Sequence, residues 1–139
     1  MPKVTMSTKI AANADQLWQA IGGFGKIADW HPAVAKSKVE GEGKGSVRTL
    51  QMVGGGTMTE RLEEVNANER IYRYSIVSGP LPVANYESEV HVTDNGDGTS
   101  TVQWSSSFDA AGVPENDAVK TIQGIYEAGL ENMKKIYGL

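Results

Sequence analysis

The sequence predicts an α+β grip: a curved antiparallel sheet of seven strands wrapping a long C-terminal helix, with two short helices after the first strand. Three observations carry this expectation. Apolar and polar residues alternate in the first segment, turn-forming clusters cut residues 34–110 into short pieces, and the period changes to three- and four-residue steps between Glu115 and Tyr137. The 139 residues suffice for one domain with a core, and residues 1–139 are expected to form a single unit.

Residues 3–11 alternate Val4, Met6, Thr8 and Ile10 against Thr5, Ser7 and Lys9, the period of a half-buried strand. Asn13 or Asp15 then caps a short helix, Leu17, Trp18 and Ile21 set bulk along one side of it, and Gly22-Gly23 ends it. A second short helix is expected over residues 24–29, because Trp30-His31-Pro32 must leave helical geometry ahead of the proline. Six strands fit between breaks at residues 40–45, 53–56, 66–69, 78–82 and 94–98, and with the first strand they are expected to make a seven-stranded antiparallel meander, since connections this short join antiparallel neighbours. After Pro114, the recurrence of Val119, Ile122, Tyr126, Leu130, Met133 and Tyr137 predicts one amphipathic helix. About 23 residues at roughly 1.5 Å each reach ~35 Å, enough to lie across a whole curved sheet.

Composition excludes several functions. There are 13 Lys+Arg against 17 Asp+Glu, a formal net charge of -4, so no broad basic surface is available for nucleic acid or an anionic membrane. With no cysteine, disulfides, thiolate zinc sites, iron–sulfur clusters and cysteine nucleophiles are out. Met1 to Ser7 carries no long apolar run, and no stretch approaches the roughly 18 apolar residues of a membrane span, so the expected location is the cytoplasm.

A curved sheet capped by one helix leaves its inner surfaces apart in places, so a cavity is expected. Alternation points Tyr72, Tyr74 and Ile76, then Tyr86, Ser88, Val90 and Val92, then Val102, Trp104, Ser106 and Phe108 toward it. Arg48 shares parity with Leu50 and Met52, and Glu60 with Met58 and Leu62. These two charges either neutralise each other as a structural pair or orient a ligand carboxylate, carbonyl or hydroxyl. On the long helix, Gly124 and Gly129 mark either close packing against the sheet or room for a guest. His31, between Trp30 and Pro32, reads as a structural or rim histidine, the alternative being an acid/base group at the cavity mouth. His91, Glu87 and Glu89 fall on the outer face. Residues 41–45 are followed by a strand rather than a helix, and residues 94–98 lack the ligand positions of a calcium loop, so both read as hairpin loops. No metal site, cofactor motif or nucleophile elbow is visible.

The series Trp18-x-x-Ile21-x-x-Phe24-x-x-Ile27-x-x-Trp30-His31-Pro32, Gly45-x-x-Arg48, Glu60-Arg61-Leu62, Tyr74 and Pro82-x-x-Asn85-Tyr86 resembles the polyketide cyclase/dehydrase branch of the SRPBCC, or START-like, superfamily. The likeness covers nearly the whole chain and implies a helix-grip fold. Within it, Thr59-Glu60-Arg61-Leu62-Glu63 and Asn85-Tyr86-Glu87-Ser88 are similar to the ligand-contacting strands of the plant abscisic-acid receptor type. That resemblance implies Lys36 as a carboxylate anchor, Glu60, Tyr86 and Ser88 as polar contacts, and Arg48 beside them. The receptors' gate and latch loops are replaced by Val53-Gly54-Gly55-Gly56 and Leu81-Pro82-Val83. Hormone-gated phosphatase binding is therefore not implied, whereas a pocket closed by two loops is.

The sequence thus predicts a cavity protein for one small hydrophobic molecule of lipid, aromatic or polyketide-like type. Its candidate contacts are Lys36, Arg48, Glu60, Tyr74, Tyr86, Ser88, Trp104 and Tyr126. It would need no cofactor or metal and act as a monomer or weak homodimer. The alternative is a cyclase or dehydratase in which Glu60, Tyr74 or Tyr86 moves a proton while Arg48 or Lys36 stabilises an enolate. A third expectation uses the loops at 53–56 and 79–83 to engage a protein partner.

Overall fold

The computed structural model describes residues 1–138; Leu139, the last residue of the expected domain, lies outside the described residues. The elements in order are β1 (Lys3–Ile10), α1 (Ala14–Ile21), a 3-10 turn (Phe24–Lys26), α2 (Ile27–Trp30), β2 (Val34–Glu40), β3 (Val47–Met52), β4 (Thr57–Asn66), β5 (Ile71–Ser78), β6 (Val83–Asp94), β7 (Ser100–Ala110) and α3 (Glu115–Tyr137). The side chain of Asn13 accepts from the Asp15 amide at 2.8 Å and opens α1, as the capping pattern requires. The second helical segment is divided: a 3-10 turn carries the chain from Phe24 to Lys26 before one turn of α2.

The seven strands form one antiparallel sheet in the order β1-β7-β6-β5-β4-β3-β2. Only β2 to β7 run as a meander. β1 joins β7 in an unbroken register from Lys3↔Ser107 to Ile10↔Ser100, because α1 and α2 carry the chain away before β2 begins. β1 and β2 are therefore the two outermost strands.

Bulges bend this sheet around α3. Register shifts fall between Val34 and Lys36, Thr59 and Glu60, Leu62 and Glu64, and Ala84 and Glu87. In the last of these Asn85 takes a φ of 54°, a left-handed conformation that asparagine tolerates, and its side chain donates to Asp109 at 2.9 Å. Tyr86, the next residue, faces the core.

α3 buries Ala118, Ile122, Tyr126, Gly129, Leu130 and Met133 on one stripe against the sheet. Gly129 settles one of the two glycine alternatives in favour of close packing. A Cβ added there would lie 2.8 Å from His31 Cδ2, 2.9 Å from Trp104 Cζ3 and 3.0 Å from Trp30 Cζ3. Gly124 is exposed and has nothing within 4 Å of its Cβ position. Among the described residues no helix is long and apolar enough to cross a membrane.

Candidate functional site

β3 and β4 bring Arg48 and Glu60 to paired register positions on the inner face. Arg48 is 0% and Glu60 4% exposed. Arg48 Nε donates to Glu60 Oε1 at 2.8 Å, and Nη2 sits 2.8 Å from the same oxygen. Nη1 donates to the Phe24 carbonyl at 2.9 Å, while the guanidinium lies 4.1 Å from the Phe24 ring centroid and 4.8 Å from that of Tyr74. Burial works to discharge Arg48, but the Glu60 charge, with help from Tyr72 and Tyr74, outweighs it and holds the guanidinium above its ordinary range. Burial pushes the Glu60 carboxyl up, and Arg48 opposes that shift. The two charges thus neutralise each other as a structural pair. Both guanidinium contacts fall on Oε1, so no group among the described residues donates to Glu60 Oε2.

Beside this pair lies a chain of hydroxyls from β5, β6, β7 and α3. Trp104 Nε1 donates to Ser88 Oγ at 2.9 Å and to the Tyr74 hydroxyl at 3.1 Å. Ser88 Oγ lies 2.9 Å from the Ser105 carbonyl and 3.0 Å from the Tyr126 hydroxyl. Tyr126 and Tyr86 share a short hydroxyl contact, and Tyr86 is 3.4 Å from the Tyr74 hydroxyl. Each hydroxyl has one proton, so Ser88 can give its own either to the Ser105 carbonyl or to Tyr126, and the phenols follow whichever direction that choice leaves. Burial first, and then the neighbouring phenols, push Tyr74 and Tyr86 well above the usual tyrosine range, and burial pushes Tyr126 up to about 12. Trp104 stacks on Tyr126 with ring centroids 4.1 Å apart, which fixes α3 over β7.

His31 is buried with both ring nitrogens committed. The Ala33 amide donates to Nδ1 at 3.1 Å, so Nε2 carries the proton and donates to the Ile125 carbonyl of α3 at 2.8 Å. The missing side chain of Gly129 leaves space for the ring. Burial lowers the His31 pKa, and Arg48 adds to this, against the raising effect of the Ile125 hydrogen bond. Sequence alone left this tie between the α2–β2 corner and α3 unread, although a glycine on the buried stripe of the last helix was its visible trace.

Between the ion pair, the hydroxyls and α3 lies a cavity of about 40 Å³. Glu60, Tyr74, Tyr86, Trp104 and His31 give its polar wall, and Leu50, Met52, Met58, Ile76, Leu81, Ile122 and Ile125 most of the rest. Arg48 contributes nothing to that wall. Beside its Met58 and Leu81 wall the β3–β4 turn meets the β5–β6 loop: the Cβ position of Gly56 is 4.0 Å from Pro80 Cγ, and that of Gly79 is 3.0 Å from Met58 Cγ. Gly54, Gly55 and Gly56 have φ of 88°, 107° and 96°, a run that other residues strongly disfavour. A water fills about 10–15 Å³ and ordinary ligand pockets about 300–1,000 Å³, so the cavity as it stands holds water but no larger guest.

Lys36 lies outside this group. The bulge between Val34 and Lys36 shifts the alternation of β2 by one residue, pairing Lys36 with exposed Gln51 and Ser37 with buried Leu50. Lys36 is therefore on the outer face, correcting its expected position as a carboxylate anchor, and Ser37 takes the inner place. Ser88 and Tyr126 sit one hydrogen bond behind the wall. A wider trough of about 410 Å³ lies on the outer face near Lys3, Glu63, Arg73, Glu87 and Ser105. It is open to water, and Arg73 there holds Glu64 and Glu89 at 2.8 Å.

The family described as polyketide cyclase/dehydrase and lipid transport matches residues 1–138. The chain belongs to the polyketide cyclase/dehydrase and lipid transport family. Among solved structures of this architecture, the XoxI protein of Bacillus cereus is 38% identical over 99% of this chain and 96% of its own, with a TM-score of 0.93. An uncharacterized protein of Bacillus thuringiensis is likewise 38% identical, over 98% of both chains, with a TM-score of 0.93. The Zhui aromatase/cyclase of Streptomyces sp. R1128 is 19% identical over 95% of this chain and 90% of its own, and its TM-score of 0.77 shows the shared helix-grip fold. No curated protein matches the chain. A small hydrophobic ligand or a cyclase-type activity is what the family suggests.

Proposed function

We propose that this family member binds one small, mostly apolar molecule between the sheet and α3. It does so as a cytoplasmic monomer or weak homodimer without a cofactor. The observation that carries this is a cavity walled mainly by aliphatic side chains, with the Glu60 carboxylate and the Tyr74 and Tyr86 hydroxyls among its few polar groups. The glycine turn, Met52 and Met58 give the mouth freedom to open, since glycine relieves the backbone and methionine repacks readily.

Holding is favoured over catalysis. A proton-moving phenol needs a pKa near the working pH, whereas Tyr74, Tyr86 and Tyr126 are all shifted further from it. Arg48 is turned to Glu60 and Phe24 and does not reach the cavity, so it cannot meet an enolate there. Native mass spectrometry of the gently purified protein, with thermal melts against lipid, aromatic and polyketide-like libraries, tests the proposal. An adduct or a concentration-dependent rise in Tm is expected. Unchanged mass and Tm across all three libraries would refute it.

A further inference from the structure

We infer that the guest is a neutral hydroxyl compound, a phenol or alcohol, and that carboxylates are rejected. This rests on the cavity being the binding site, and it reverses what the presence of an inward arginine and a nearby lysine suggests in the sequence.

The one charged group in the wall among the described residues is an acceptor: Glu60 Oε2 receives no donor there. Tyr86 adds a phenol oxygen that can accept a hydrogen bond as well as give one. His31 offers nothing, because Nδ1 already accepts from Ala33 and Nε2 already donates to Ile125. The Tyr74 and Tyr86 hydroxyl oxygens are 3.4 Å apart, a long contact that leaves a phenol proton there for a guest to accept. A carboxylate that accepts and phenols that can donate, on the wall of one cavity, match a hydroxyl group, which gives one hydrogen bond and takes another.

An anionic ligand meets the opposite situation. Among the described residues no cationic side chain lines the cavity: Lys36 is on the outer face, and Arg48 is spent on Glu60, Phe24 and the faces of two rings. A carboxylate placed there would face the Glu60 charge in a poorly solvated space and find one phenol to donate to it. A ketone or ether fares better than an anion but still leaves Glu60 Oε2 unmet.

The test uses four ligands of nearly one shape: p-cresol, p-xylene, 4-methylbenzaldehyde and 4-methylbenzoate, titrated into the intact protein at pH 7 and followed by amide NMR shifts. The expected result is perturbation at Leu81, Ile122 and Ile125, with p-cresol binding at least about tenfold tighter than p-xylene or the aldehyde and no saturable binding by the benzoate. A hydrogen bond to a charged acceptor accounts for a factor of that size. If all four bind equally at those residues, or the benzoate binds best, the hydroxyl inference fails while the cavity remains the binding site. If none of the four shifts those residues, the cavity reading fails and takes the inference with it. The double variant Arg48→Met/Glu60→Leu, checked for folding by circular dichroism, is expected to bring p-cresol down to the level of p-xylene. A preference that survived in a folded double variant would overturn the role given to Glu60.

Discussion

Gly124 and Gly129 are alike in the sequence of α3 and opposite in their surroundings. Gly129→Ala gains helix propensity of about 1 kcal/mol, but its Cβ would press on three rings, including one that is held by two hydrogen bonds. Overpacking of this kind costs about 1–3 kcal/mol, so a net loss in urea unfolding is expected. Gly124→Ala meets nothing within 4 Å and is expected to stabilise by about 0.5–1 kcal/mol. The same contrast explains what single residues disclosed beforehand. Parity was enough to turn Arg48, Glu60, Tyr74, Tyr86, Ser88 and Trp104 inward, because side-chain direction follows from strand geometry. What each group would grip was not legible. That depends on the register of β3 against β4 and on Phe24 arriving from another part of the chain.

At the scale of elements, the His31 tie couples the α2–β2 corner to α3 and makes their docking depend on pH. An unfolded chain binds the imidazole proton near the ordinary value of 6.5, while the folded protein, with its lowered pKa, binds it only at lower pH. In that window the unfolded state holds more protons, so stability falls as pH drops below 6.5, by at most about 1.4 kcal/mol per pH unit. Glu60, raised by burial, acts in the opposite sense above its ordinary value, so the comparison of wild type with His31→Gln isolates the histidine. Urea unfolding from pH 7.5 to 5 is expected to show a shallower decline in the variant; equal slopes would remove His31 from the account. The strands and helices themselves were legible from period and turn residues. The irregularities were not, since a one-residue bulge leaves no mark in alternation until the partner strand is known. Lys36 was expected inside on the family resemblance alone, which carries no sign of the bulge that turns it out, and the conversion of residues 24–26 to a 3-10 turn and the pairing of β1 with β7 emerge only from the assembled sheet.

Over the whole molecule, the order of the strands also leaves the sheet unclosed. Among the described residues β2 has β3 on one side and no strand on the other, so part of its backbone is a template for a second copy of the same strand. Lys36 and Lys38 both stand exposed on it. Two such strands brought edge to edge would set four ammonium groups against one another, an arrangement that charge repulsion disfavours. The lysine displaced from the cavity by a bulge thereby acquires a different value: it guards against self-association. Replacing both with threonine, which suits strands but carries no charge, is expected to drive the protein toward larger species in sedimentation velocity as its concentration rises. An unchanged sedimentation coefficient would show that the flank of this sheet is protected by something other than its lysines.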